Sequence, residues 1–245
     1  MDLRNQTAIV TGAGQGMGRG IAEKLSQYGA SVVVSGRTES KVQETARIIE
    51  SRGGSALAVK ADVSIISDIA NMFDACIERF GAPDILVANA GVSYISDLLK
   101  TTEEEYYMVY DTNAKGTYFC LKEAGLRLKD GGRIVLISSS TTKHPKTGMS
   151  LYSSSKAAIS MMAEVAAQEL ADRGITVNAV LPGLTVTPAV EAGLPEAFKQ
   201  IVADNTPFKR LGKTEDIAEV VAFLCSKESQ WVNGQVIMAD GGCLC

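Results

Sequence analysis

The chain has 245 residues, 46% of them hydrophobic and 21% charged, with a formal net charge of -4, the balance of an ordinary soluble protein. That charge asks for neither nucleic acid nor an anionic membrane surface. No apolar run approaches the roughly 20 residues that span a bilayer, and the stretch before Thr7 has no signal-peptide core.

Taken in order, Thr7-Ala8-Ile9-Val10 is an apolar run that ends in the turn Thr11-Gly12-Ala13-Gly14-Gln15-Gly16-Met17-Gly18, and Ile21, Ala22 and Leu25 then mark one face of a helix. Residues 31–35 are a second strand, closed by Gly36-Arg37-Thr38; Val42, Ala46 and Ile49 mark the next helix. Ala56 to Lys60 is a third strand followed by Asp62-Val63-Ser64, and Ile69, Phe73, Cys76 and Ile77 give a third helix. Ile85 to Ala88 is a fourth strand, followed by Asn89-Ala90-Gly91. A long helix is expected from about Glu103 to Arg127, then a strand over 133–137 and a polar loop over 138–148. A helix follows from Tyr152 to Leu170, with Ala158, Met161, Met162, Val165 and Ala166 as its packing positions. Phe80, Phe119 and Phe223 are read as core or helix contacts. A sixth strand spans 175–180, an irregular segment runs from Pro182-Gly183 to about Leu211, and a helix (217–224) and a strand (236–238) close the chain.

Each strand is continuously apolar rather than alternating, which places both its faces under cover and argues for a parallel sheet with helices on each side. No break in composition divides the chain, so a single domain is expected over 1–245. Ligands belong outside the carboxyl ends of such strands. The glycine turn can bring backbone close to a pyrophosphate, and the unpaired N–H groups that follow it face an anion; a plain tight turn is the competing reading. Tyr152 and Lys156 are four apart and share a helix face. A nearby ammonium favours a phenolate, which is how a tyrosine becomes useful as an acid or base near neutral pH, and Ser139 can donate to a carbonyl oxygen. An ordinary i,i+4 pair beside a solvated serine loop is the competing reading here. The five cysteines, Cys76, Cys120, Cys225, Cys243 and Cys245, contain no C-x-x-C, so buried thiols in a reducing cytoplasm are expected. Cys243 and Cys245 with the distant His144 make a poor metal set, and no metal is expected. His144 is read as an exposed loop residue.

Across its whole length the chain resembles the short-chain dehydrogenase/reductase family, on the doubly wound Rossmann framework with a seven-stranded parallel sheet. The resemblance rests on the T-G-x-x-x-G-x-G turn at Thr11–Gly18, Asp62, Asn89-Ala90-Gly91, Asn113, Ser139, the Y-x-x-x-K of Tyr152–Lys156, Pro182-Gly183 and Asp240-Gly241-Gly242. It implies a hydride exchanged between the B face of a nicotinamide and a carbonyl or alcohol carbon. Tyr152 then gives the proton, Lys156 lowers its pKa and holds the nicotinamide ribose, Ser139 bonds the carbonyl oxygen, and Asn113 holds a water that leads to solvent. Gly12, Gln15, Gly16, Met17, Gly18, Asp62, Val63, Asn89, Ala90, Gly91, Pro182, Gly183, Thr185 and Thr187 are the implied cofactor contacts, together with Tyr152 and Lys156. The resemblance, together with the apolar surface offered by Tyr106, Tyr107, Met108 and Tyr110 and by the alanine- and methionine-rich helix after Tyr152, points to a homotetramer, or at least a dimer.

An NAD enzyme of this fold carries Asp or Glu at the end of the second strand. Here Ser35-Gly36-Arg37-Thr38 leaves room for a 2′-phosphate, with Arg37 to meet it and Thr38 to add a hydroxyl. With Gln at position 15, Arg37 is left as the one cation for that phosphate. The leading reading is an NADPH-dependent reductase of a free small ketone or aldehyde, with residues 184–211 as the segment over the substrate. The alternatives are a 3-oxoacyl-[acyl-carrier-protein] reductase, an NAD-linked alcohol or sugar dehydrogenase and, from a different class, a cofactor-binding regulator without turnover. Arg173 matches one carrier-protein site, but Asp130 occupies the other, so acyl carrier protein is not favoured as a partner.

Overall fold

The seven apolar runs become the strands of one parallel sheet, ordered β3-β2-β1-β4-β5-β6-β7. The computed structural model describes residues 1–243, so Cys245 lies outside the described residues. The strands are β1 (Thr7–Val10), β2 (Ser31–Gly36), β3 (Ser55–Lys60), β4 (Ile85–Ala88), β5 (Arg133–Ile137), β6 (Thr176–Pro182) and β7 (Val236–Ala239). Between them run α1 (Gly16–Gln27), α2 (Glu39–Ser51), α3 (Ile66–Phe80), α4 (Glu103–Tyr110), α5 (Gly116–Arg127), α6 (Ser150–Glu169), α7 (Pro188–Gly193), α8 (Glu196–Asn205) and α9 (Thr214–Cys225).

Alternate residues of each strand feed two cores. Val10, Val34 and Val87 face α1, α2 and α9, where Ile21, Val42 and Val221 pack against them. Ile9, Val33 and Leu86 face α3, α5 and α6, against Phe73, Ala124 and Ile159. Val10 pairs with Val34 on one side and Val87 on the other, so β1 is an inner strand of the sheet with its carboxyl end level with its neighbours'. Covering both faces is what makes the runs apolar without alternation.

The long helix expected over 103–127 is interrupted. Asp111–Lys115 form a π-helical turn, with the Gly116 N–H donating to the Asp111 carbonyl. One extra residue in the turn rotates Thr112, Asn113 and Ala114 inward, a geometry π turns often serve at functional sites. The segment after Pro182 is less irregular than expected, since α7 and α8 occupy much of it. On α6 the buried stripe is Ile159, Ala163, Ala166 and Ala167, a 3.6-residue stagger, while Met161 and Val165 fall off it and are 58% and 45% exposed. Phe223 on α9 is likewise exposed, because Val221, Ala222 and Leu224 take the inner face. Among the described residues no helix is long and apolar enough to cross a membrane.

Candidate active site

The sheet order reverses direction at β1: β2 continues to one side and β4 to the other. The loops after β1 and β4 therefore part and leave a crevice beyond their carboxyl ends. Thr11 and Asn89 tie the two loops together. The Thr11 hydroxyl accepts from the N–H of Asn89 and of Ala90, both at 3.0 Å, while Asn89 Nδ2 donates to the carbonyls of Thr11 (2.9 Å) and Gly12 (3.3 Å). Asn89 thus builds the turn rather than offering a free amide. Gly12 and Gly16 take left-handed φ values of 65° and 57°, and a Cβ at Gly18 would sit 2.2 Å from the Gly12 carbonyl oxygen; only glycine lets the turn close on the helix.

α1 starts at Gly16 with no side chain capping its first turn, so its N–H groups remain open to an anion. Arg19, which carried no signal in the sequence beyond its place in the first turn, braces this turn. Its guanidinium donates to the Gly14 carbonyl at 2.8 Å and to the Thr45 hydroxyl at 3.0 Å, and pairs with Glu44 at 3.0 Å.

A cavity of about 170 Å³ opens along the turn. Gly12, Gln15, Arg37, Thr38, Asp62, Val63, Ala90 and Gly91 line it, together with Gly14, Gly36, Lys41 and Thr112. Among the described residues nothing accepts a hydrogen bond from Arg37. Asp62 uses Oδ1 for the Ser64 N–H and hydroxyl, at 2.9 and 2.8 Å. Thr187 closes on the glycine turn from the far side, its Cβ 3.4 Å from where a Gly16 Cβ would stand. Met17 and Gly18 follow within α1, behind the lining. Pro182 ends β6, and Gly183 borders a separate cavity near Asp240. Thr185 departs from expectation: it is 4% exposed and its hydroxyl donates to the Gly183 carbonyl at 2.9 Å. Bridge pairing of Thr185 with Gly212 turns it inward, and the structure does not bring it to the cavity.

Next to this cavity Asn113, Tyr152 and Lys156 come together with Ser139. Lys156 is buried, and its ammonium donates to the Ile137 carbonyl at 2.9 Å. A Cβ on Gly91 would lie 3.0 Å from Lys156 Nζ and 3.2 Å from Asn113 Oδ1, which shows how closely the three residues meet. The Asn113 side chain is fully committed: Oδ1 accepts from the Val92 N–H at 2.8 Å, and Nδ2 donates to the Val92 carbonyl and the Ser155 hydroxyl, both at 3.0 Å. The Ser139 hydroxyl bonds that of Thr141 at 3.0 Å.

Burial pushes the Lys156 pKa down to about 8. Burial also raises the Tyr152 pKa, and the Ser139 hydrogen bond opposes that rise. The Lys156 ammonium, expected from the i,i+4 spacing to act on Tyr152, here donates to the Ile137 carbonyl. His144, read as exposed, is half-buried and lines neither cavity. Among the described residues no group of three or more His, Cys, Asp or Glu is placed to hold a metal ion.

The family model described as "Enoyl-(Acyl carrier protein) reductase" matches residues 12–243. The chain is 41% identical to the short chain dehydrogenase/reductase AacuN of Aspergillus aculeatus over 255 residues, covering 98% of this chain and 96% of that one. This chain belongs to the short-chain dehydrogenase/reductase family. The crystal structure of a dehydrogenase/reductase from Sinorhizobium meliloti 1021 superposes with a TM-score of 0.94 at 34% identity, over 100% of this chain and 97% of that one. The angucycline C-6 ketoreductase LanV, crystallised with bound NADP, gives 0.93 at 36% identity over 99% and 97%. As a short-chain dehydrogenase/reductase the chain is an oxidoreductase.

The buried lysine sets a pH dependence. Below about 8 Lys156 is charged in both states and its burial penalty is fully present. Between about 8 and 10.5 the native lysine gives up its proton while the unfolded one keeps it. The unfolded state then binds more protons, and stability rises with pH. Urea unfolding of wild type and Lys156→Met at a series of pH values should show the wild type gaining about 2–3 kcal/mol relative to the variant across that window; a difference that does not vary with pH contradicts the assignment.

Proposed function

We propose that the chain is an NADPH-dependent carbonyl reductase acting on a free small ketone or aldehyde. The observation that carries this reading is the meeting of Ser139, Tyr152 and Lys156 beside the cavity at the sheet's switch point. A bound nicotinamide supplies the hydride. Ser139 donates a hydrogen bond to the substrate's carbonyl oxygen. Tyr152, held protonated by its burial, delivers the proton to the alkoxide as it forms. Lys156 holds the ribose hydroxyls with its ammonium, and its positive charge next to them favours the phenolate once the proton has left. Asn113 keeps the π turn open for the water that returns a proton.

For the cofactor, Gly12, Gly16 and Gly18 shape the pyrophosphate turn, Asp62 and Val63 meet the adenine, and Asn89, Ala90 and Gly91 flank the ribose. Pro182, Gly183 and Thr187 take the carboxamide end. Arg37 and Thr38 favour a 2′-phosphate, and the NADP bound to LanV supports the same choice. Residues 184–211 cover the substrate. Lys146 lies 5.6 Å over the Phe198 ring of α8, which links that segment to the loop after Ser139.

The carrier-protein alternative is disfavoured by one observation. Arg173, the basic residue that would receive an acidic carrier, is bound to Asp130 at 2.7 Å and to the carbonyls of Gly125 and Leu128. A homotetramer is supported by exposed apolar side chains, Tyr106 and Tyr107 on α4, Met161 and Val165 on α6, Phe223 on α9, and Trp231 and Met238. Buried thiols at Cys76, Cys120 and Cys225 fit a cytoplasmic setting.

Three measurements test this reading. Tyr152→Phe should lower kcat by roughly a hundredfold or more on a ketone the wild type reduces, with the NADPH dissociation constant unchanged; near-normal turnover sinks the role. Arg37→Ala should lower kcat/KM for NADPH about tenfold to a hundredfold and leave NADH use alone, whereas an unchanged preference removes Arg37 as its reader. Light scattering should give about four times the 25.9 kDa chain mass, and a mass of one chain refutes the assembly.

A further inference from the structure

Lys41 stands outside every expectation drawn from the sequence, in which Arg37 was the one cation available to a 2′-phosphate. We propose that Lys41 is a second cation of that phosphate subsite and that, with Arg37, it sets the preference for the phosphorylated nucleotide. This rests on the NADPH reading above and adds a residue to it.

Lys41 lies in the first turn of α2 and lines the same cavity as Arg37, Thr38 and Gln15. Its stem lies against the glycine turn: a Cβ on Gly14 would come within 3.0 Å of Lys41 Cβ. The ammonium donates to Gln15 Oε1 at 2.6 Å. The partner is therefore a neutral amide, and the lysine's charge is left uncompensated.

Among the described residues no carboxylate forms an ion pair with Lys41. Glu44, one turn along on the same helix, pairs with Arg19 at 3.0 Å, and Glu39 accepts from Gln43 at 3.2 Å. Asp62, the acid that lines the cavity, is bonded to Ser64. Thr38 at the α2 N-cap makes no side-chain capping bond, so its hydroxyl and the first N–H groups of a 13-residue helix are also uncommitted. Two cations facing one cavity repel each other until an anion enters, and a doubly charged phosphate displaces a neutral amide as the lysine's acceptor. Gln15, which by its type offered no charge to the nucleotide, instead holds a charge at the cavity's edge.

The test is equilibrium binding of 2′,5′-ADP and 5′-AMP by calorimetry, without turnover, on wild type, Lys41→Met and Lys41→Arg. Methionine keeps the stem against Gly14 and removes only the charge. The expected result is a Kd for 2′,5′-ADP raised about tenfold in Lys41→Met, an unchanged Kd for 5′-AMP, and recovery in Lys41→Arg. A 2′,5′-ADP to AMP ratio equal to wild type overturns the proposal. Equal weakening of both nucleotides also overturns it, because Lys41 then acts on the turn itself. A wild type that binds the two alike removes the NADPH reading, and Lys41's role falls with it.

Discussion

The reciprocal hydrogen bonds between Thr11 and Asn89 hold together the place on which the rest of the site depends. A parallel sheet delivers all its strand ends to one side, and the reversal of strand order at β1 makes the loops after β1 and β4 diverge there. Left alone, diverging loops would leave buried N–H and carbonyl groups without partners. Here the Thr11 hydroxyl takes two of the N–H groups, and the Asn89 amide takes two of the carbonyls. The crevice therefore stays open where a ligand enters and stays satisfied at its floor. The glycine turn is pinned from the opposite side by Arg19, whose guanidinium donates to the Gly14 carbonyl.

The second half of the site is built by a similar substitution of polar contacts for solvent. Burying the Lys156 ammonium is costly, and one carbonyl, that of Ile137, partly offsets it. The helix carrying the lysine is fixed at two points. The Ser138 hydroxyl donates to the Lys156 carbonyl at 2.8 Å, and Asn113 donates to the Ser155 hydroxyl at 3.0 Å. These bonds place Tyr152 one turn before Lys156, under Ser139. Asn113 reaches Ser155 because the π turn rotates it inward, so an irregularity in one helix sets the position of the reactive groups on another.

Much of this was legible in the sequence. Short apolar runs without polar alternation disclosed the parallel sheet, because strands covered on both faces have no solvent side. The glycines of the turn and the Tyr152–Lys156 spacing were equally plain, since each reflects a local geometric demand. What could not be read depends on tertiary placement. A π turn adds one residue without altering the hydrophobic pattern, so residues 103–127 read as one helix. α7 is too short to show a period. Met161 and Val165 are apolar but sit off the buried stripe, and composition does not record which face of a helix meets a neighbour. Lys41 looks like any solvated helix lysine until α2 is laid against the glycine turn. The direction of the Tyr152 shift is set by its burial, which four-residue spacing does not record.

The most direct test of the account is a crystal structure of the protein with NADP⁺. The pyrophosphate should lie against the open N–H groups of Gly16, Met17 and Gly18, the 2′-phosphate against Arg37, and the nicotinamide ribose within hydrogen-bonding reach of Tyr152 and Lys156. A nucleotide bound away from this crevice, or a nicotinamide ribose out of reach of Lys156, would contradict the account.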